Sequence, residues 1–442
     1  MKRPVVIVSL VSALLLLLAG IVAIIFFTVR YDWAPFVLQD ASAKIEESKT
    51  LKVDTKKSVV LNISDDVGNV TVIGADVEDV QIAVTKIAYA STQAKADEQV
   101  KAIQYNIDQA GNTILIGFDA NAIVNEYNTP FFNDRNVSNR VDFFITVPHK
   151  TIVDIDNNLG DVNLSEIQGD VEIELDFGVT AIKNVTGALS VKSHGGDIKA
   201  ESIKANSAEI YLHSDFGDLQ LIQSNATDVE ITSNGGAILI REVRAAGKVA
   251  TKTDFGETTI QNGSANSLDV STNGGNVNVE KIKVTGGLSV KDDFGEVNLI
   301  QASAASYDIK SNGGNINIDG AKGNVKAHTD FGNIAIQNAA NATLDLKSNN
   351  GTILFSGSLG EGPHMIKSDF GGISLTLPAD TKLDVELKTD LGAIESDLPI
   401  ASITTGTSAS ETSHITGSIN GGGSSLTATT NSGKISIKTL DK

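Results

Sequence analysis

The chain has 442 residues, no cysteine, 40 glycines, 7 prolines and a formal net charge of −19. That length allows two or three domains with an ample core, and the lack of cysteine excludes disulfides, thiolate catalysis and cysteine-based zinc sites. The acidic balance argues against nucleic acid as a partner and suits a soluble surface exposed to cations.

Residues 1–33 carry the strongest local signal. Lys2 and Arg3 precede an uncharged run from Val5 to Val29, with leucine at every position from 14 to 18. Such a run is long enough to span a bilayer with some tilt, and it exceeds the apolar core of a cleaved signal peptide. Tyr31 and Trp33 stand where an interfacial aromatic belt belongs. The expectation is an uncleaved signal anchor, single-pass in the cell membrane. With Lys2 and Arg3 inside, the C-terminal bulk lies outside the cytoplasm. Residues 34–57 read as a polar stalk.

Residues 58–148 predict a small β domain with one helix. Val59 opens an alternating run, and residues 79–90 and 112–120 read as further strands. Between them, residues 93–104 favour a helix with Ala96, Val100 and Ile103 as its apolar stripe. Residues 121–140 are polar and predict a loop that carries Pro130, Phe131 and Phe132.

From 149 to 398 two short signals alternate, Asp-Phe-Gly and Asn-Gly-Gly. Their middle residues run Leu159, Phe177, Gly195, Phe216, Gly235, Phe255, Gly274, Phe294, Gly313, Phe331, Asn350, Phe370 and Leu391, 18 to 21 residues apart. A last such residue, Ser432, follows 41 residues after Leu391, room for two units with one degenerate. Around each signal apolar and polar residues alternate, as in Leu288 and Val290 before Phe294 and Val297 and Leu299 after it. Period-two alternation broken by Asx-Gly means strand, turn, strand, and the glycine suits a corner of positive φ. A unit of about twenty residues is too short for a strand and a crossover helix. The fold class is therefore all-β, its bulk a parallel β-solenoid with about 19–20 residues per coil.

The alternation of Phe177, Phe216, Phe255, Phe294, Phe331 and Phe370 with Gly195, Gly235, Gly274 and Gly313 suggests a packing rule. Coils stack at roughly 4.8 Å, too close for a ring in every layer. A glycine in the neighbouring coil leaves the volume that the ring fills, giving one buried, interdigitated column. Two residues earlier stands a small hydroxyl, among them Ser193, Ser214, Ser233, Thr253, Thr272, Ser311, Thr329, Ser348, Ser368 and Thr389, with Asp292 as the exception. On the alternation these point inward, so they need partners on the backbone or on each other.

The chemistry-bearing candidates are few. Asp176, Asp215, Asp254, Asp293, Asp330 and Asp369 recur beside the phenylalanines, at every second coil, roughly 9–10 Å apart. Calcium wants six or more oxygens at about 2.3–2.6 Å, so these carboxylates read as corner geometry, even with Asn234, Asn273 and Asn312 between them. The calcium-binding nonapeptide of β-rolls is absent, and Asp-Phe-Gly comes without the nucleotide loop of a kinase. Histidines at 149, 194, 213, 328, 364 and 414 are scattered, and arginine in the coils is limited to Arg241 and Arg244. No metal, cofactor or catalytic set is implied.

After Pro399 the pattern decays into Ser, Thr and Gly, and residues 431–440 return to form. Residues 399–442 are expected to be degenerate terminal coils and a cap.

The approach to the coils resembles a known family. Asp142, Ile145, Val147 and Pro148, followed by Gly160, Asp161 and Val162, resemble the bacterial adhesin-like domains of β-strand repeats, a domain of unknown function related in style to head-GIN adhesin-like proteins. The resemblance covers about 58–442. It implies a β-solenoid on an envelope-anchored protein and no catalytic residues to carry over. The expected role is a membrane-anchored adhesin-like or scaffold protein, non-enzymatic, binding a repetitive glycan or surface protein through a solenoid face. A small-molecule substrate is not expected. The alternatives are an envelope-stress sensory or regulatory protein and a carbohydrate-active β-helix enzyme.

Overall fold

The computed structural model describes residues 41–120, 139–404 and 413–440. The expected membrane anchor and the loop with Pro130, Phe131 and Phe132 lie outside the described residues. Among the described residues no helix is long and apolar enough to cross a membrane.

The chain divides into two compact units. Of the described residues, one comprises 41–45, 86–103 and 139, the other 46–85, 104–120, 140–404 and 413–440. In the first, the helix Gln93–Ala102 begins at Thr92, whose hydroxyl accepts the Lys95 N–H, and carries Lys101 in its last turn. Both features suit the ends of a helix, where backbone donors and then acceptors lack partners. Ala96, Val100 and Ile103 are buried.

The second unit is a solenoid of parallel strands. Each turn places a strand in register on the strand one coil earlier: Val171 on Val153, Leu189 on Val171, then Ile210, Val229, Val249, Leu268, Leu288, Tyr307 and Val325 in succession. A second ladder runs Val162, Thr180, Ile198, Leu219, Ile238, Thr258, Val277, Val297 and Ile316. A third, of two-residue strands, joins Arg244–Ala245, Ser264–Ala265 and Lys283–Val284. Three faces enclose one narrow core. Along each strand alternate residues are buried, as in Leu268, Val270 and Thr272. Burying a Val, Leu or Ile stabilises by about 1.5–3 kcal/mol, and every coil supplies several.

The second corner, between the second and third ladders, is made without glycine at most coils. Glu166, Asn184, Ser202, Gln223, Glu242, Asn262, Lys281, Gln301 and Asn338 all have φ between 51° and 63°. Each stands seven residues after a marker, and the chain behind it turns inward again at Ile167, Val185, Ile203 and Val243, all buried.

Two expectations about boundaries are corrected: residues 41–52 of the expected stalk form a strand, and the boundary expected at 148 is not there. The strand Val59–Val67 lies parallel on Thr151–Leu159, and Val70–Ala75 lies parallel on both Val162–Gln168 and Arg140–Pro148. Residues 59–75 are thus already part of the parallel ladder, and no domain boundary falls at 148. The alternation from Val59 is the same as in the later coils, which is why it stacks with them.

The C-terminal end departs further. Ser424–Ser432 is hydrogen-bonded in parallel to His364–Ser368 on one side and to Leu383–Leu391 on the other. Ile435–Thr439 likewise lies between Ile373–Leu377 and Ile394–Ser396. The last coil in sequence is therefore wedged between two earlier ones. Among the described residues, the gap between Leu391 and Ser432 holds no degenerate coil. It holds an antiparallel excursion, Ile400–Thr404 on Ser413–Ile419 and Ser413–Ile419 on Leu383–Leu391.

Candidate functional site

The corner at the Asp-Phe-Gly and Asn-Gly-Gly signals is built by the inward hydroxyl. Ser214 Oγ accepts the N–H of Gly217, three residues on, and donates to the Gly196 carbonyl of the preceding coil, both at 3.0 Å. Ser233, Thr253, Thr329, Ser348 and Ser368 make the same two bonds in their own coils. This local turn satisfies the buried hydroxyl and swings the next two residues out of the alternation.

The phenylalanines are consequently outside. Phe216 and Phe255 are 77% exposed and Phe177 is 58% exposed, with Phe294, Phe331 and Phe370 between these values. The expected buried column is corrected: the inward slot belongs to the hydroxyl two residues earlier, and the turn it closes points the ring to solvent. The ring still meets the glycine of the following coil. A Cβ built on Gly195 would lie 2.9 Å from Phe177 Cδ1, and on Gly313 3.2 Å from Phe294 Cδ1. At Gly235 and Gly274 the corresponding distances to Phe216 and Phe255 are 3.4 and 3.5 Å. Each ring edge thus rests on a bare stretch of backbone.

The next glycine has a different reason to be there. A Cβ on Gly256 or Gly275 would fall 1.8 Å from the carbonyl oxygen of Gly236 or Gly256 in the coil before. The need is close approach of backbone to backbone, and positive φ plays no part at these two positions.

The corner aspartates are paired across coils. The side-chain amides of Asn234, Asn273, Asn312 and Asn349 donate to Asp215, Asp254, Asp293 and Asp330 at 2.6–2.9 Å. In the first such pair His194 Nδ1 takes the amide's place against Asp176 at 2.8 Å, and Asn431 of the wedged coil faces Asp369 at 3.4 Å. The asparagines therefore present N–H donors to the carboxylates. Among the described residues no group of three or more His, Asp or Glu side chains is placed to hold a metal.

Two residues before the aspartates a basic row was missed by sequence reading. Lys192, His213, Lys252, Lys291, Lys310, His328, Lys347 and Lys367 occupy equivalent positions, with Thr232 and Ser271 interrupting them. His213, His328 and Lys367 reach Asp215, Asp330 and Asp369 at 3.3–3.5 Å. The signal was present as a Lys or His three residues before most markers. The edge thus consists of rings, flanked by Asp and Asn, then by cations.

In the inward row two carboxyls replace hydroxyls. Asp292 stacks between Thr272 and Ser311, and Asp65 stands on Asn157 farther along the same row. Burial pushes the Asp65 carboxyl up to about 8, against the pull of its bond from the Val67 N–H and with help from Asp142 and Asp66. Burial also raises Asp292, partly offset by the backbone amides of Gly295, Phe294 and Asp293.

An open groove of about 670 Å³ lies on the first strands, lined by Asn62, Ser64, Asp66, Asp119, Asp154 and Asp156 among others. Asp154 and Asp156 are pushed up, first by partial desolvation and then by neighbouring carboxylates, Glu172, Asp156 and Glu174 for Asp154 and Glu174, Asp176 and Asp66 for Asp156.

The sequence profile of the Toastrack DUF4097 family matches residues 60–330 and 266–438. The chain belongs to the Toastrack family. No curated protein matches it. Among solved structures, it is similar to a candidate adhesin from Bacteroides fragilis at 19% identity, over 58% of this chain and 97% of that one, with a TM-score of 0.32. A candidate adhesin from Parabacteroides distasonis matches at 12% identity over 71% and 94%, TM-score 0.28. A candidate cell adhesion protein from Clostridium sporogenes matches at 12% over 90% and 100%, TM-score 0.17. The Toastrack match spans the whole ladder, from its first strand to the wedged coil.

Proposed function

We propose that this Toastrack protein is an adhesin-like binding protein, tethered to the cell membrane by residues 1–33 and acting outside the cytoplasm. It engages a repetitive surface ligand through the phenylalanine edge of its solenoid, without turning that ligand over. The observation that carries this is the row of exposed rings. Six phenylalanines at one corner, four of them held by the hydrogen-bonded turn of Ser214, Thr253, Thr329 or Ser368, make an apolar stripe outside the core, and exposed apolar rows mark interaction surfaces. The similar solved structures described as candidate adhesins point the same way.

The test is a binding array of glycans, cell-wall fractions and surface proteins probed with the full chain in detergent micelles. A Phe255→Ala, Phe294→Ala, Phe331→Ala triple variant serves as the control. Retention that disappears in the variant supports the reading, and retention that ignores the variant, or none, refutes it.

A carbohydrate-active enzyme is the second reading, favoured by the acidic groove with Asp154 and Asp156. Release of reducing ends from any retained glycan, abolished by Asp154→Asn, would select it.

A further inference from the structure

We infer that the ligand of the phenylalanine edge is an uncharged, extended polysaccharide whose two-sugar repeat runs in step with alternate coils. This deepens the function proposed above and rests on it.

The spacing comes first. Rings occur only in alternate coils, because the coil between them carries Gly195, Gly235, Gly274 or Gly313 beneath the ring. Successive rings are therefore separated by two inter-strand steps, roughly 9.5–10 Å. That is close to the length of two pyranose rings joined in an extended chain. An aromatic face is a platform for the C–H face of a sugar, since the ring's negative face attracts its polarised hydrogens. A polymer of extended disaccharides would set every second sugar on a ring. The middle rings also stay in line, because Asp215, Asp254, Asp293 and Asp330 before them are each bonded to the asparagine of the next coil.

Charge selects among polymers. Asp215, Asp254 and Asp293 precede their rings, and Asp218, Glu257 and Glu296 follow two residues after them. Carboxylates on both sides of the stripe repel a polyanion. They equally repel a second copy of this edge, which would bring its own aspartates against them. A polycation is disfavoured by the row of Lys252, Lys291, Lys310 and Lys367 just beyond. Hydroxyls and amides of a neutral sugar chain can use all of these groups. A carboxylate that accepts one amide keeps further acceptor positions, and the lysines donate.

The experiment uses the full chain in detergent micelles and calorimetric titration with cello- and chito-oligosaccharides of two to eight sugars. Polygalacturonate serves as the anionic comparison. The expected result is affinity that rises in steps with each added pair of sugars, and is about tenfold or more weaker in the triple phenylalanine variant at an unchanged melting temperature. No binding to either series, binding that ignores the triple variant, or Phe-dependent self-association in sedimentation would each overturn the inference. If the array instead yields a Phe-dependent protein or anionic ligand, the inference fails while the proposed function stands. If no array ligand depends on the phenylalanines, both fail.

Discussion

The Cβ that alanine would carry at position 275 falls 1.8 Å from the carbonyl oxygen of Gly256 one coil earlier. One residue back, the Cβ at Gly274 would make only ordinary contacts, with the Phe255 ring at 3.5 Å and the Asp254 carbonyl oxygen at 3.6 Å. Neighbouring glycines in one Asn-Gly-Gly signal thus face different constraints. Gly275→Ala should destabilise beyond the roughly 1–3 kcal/mol of ordinary overpacking, because rigid backbone must move. Gly274→Ala should change stability by less than about 1 kcal/mol. Urea midpoints of the two variants decide, and equal losses would count against the close-approach argument.

Asp65 makes stability fall as pH rises. Its carboxyl ionises near 3.8 in the unfolded chain and near 8 in the folded one. Between those values the folded state holds a proton that the unfolded state has released. Its neutral form is therefore accommodated fully below about pH 4, and stability is lost progressively towards pH 8. Asp292 acts in the same direction. Asp65→Ser places the row's own residue type there. The difference in unfolding free energy between variant and wild type should grow from pH 4 to pH 8 in the variant's favour. A difference that is flat or shrinks with pH would show that burial does not hold this group neutral.

Phe255 and Ile260 lie five residues apart on opposite sides of the wall. Phe255 is 77% exposed and Ile260 is fully buried. Phe255→Ala should shift stability by no more than about 0.5 kcal/mol, whereas Ile260→Ala should cost about 2–5 kcal/mol. A thermal melt of Phe255→Ala as damaged as that of Ile260→Ala would restore the buried column expected from sequence.

Removing residues 424–442 takes away a coil with neighbours on both sides. The strands 364–377 and 383–396 would each be left with an unpaired parallel edge. Hydrogen exchange should accelerate across both segments while residues 171–300 stay protected, since solenoid stability is carried by nearest neighbours. The open edges should also promote association between molecules. Uniform loss of protection along the whole ladder would contradict this.

The repeat and the parallel stacking were legible because Leu288, Val290, Val297 and Leu299 each have counterparts at one fixed interval. The outward turn of the phenylalanines was not, because alternation alone places residue 294 on the same side as residue 292. That parity is broken by the bond that the N–H of the glycine three residues on donates to the inward hydroxyl, and the row of hydroxyls, though periodic, does not tell which backbone group each one accepts from. The second corner was hidden for a related reason. Lys281 and Gln301 adopt left-handed backbone without the glycine that usually announces it. Of the candidate site, the aspartates were visible as a row, but their asparagine partners became donors only once neighbouring coils were superposed. The wedged coil could not be found by reading forward at all, since its neighbours are not its neighbours in sequence.

That displaced coil also fixes an order of events. A chain emerging N-terminus first can wind turn upon turn as far as residue 377 as each segment appears. The turn at 383–396 then finds no parallel neighbour until residues 424–439 have been made and fitted between it and residues 364–377. Closure of this end therefore waits for synthesis of residues 424–439.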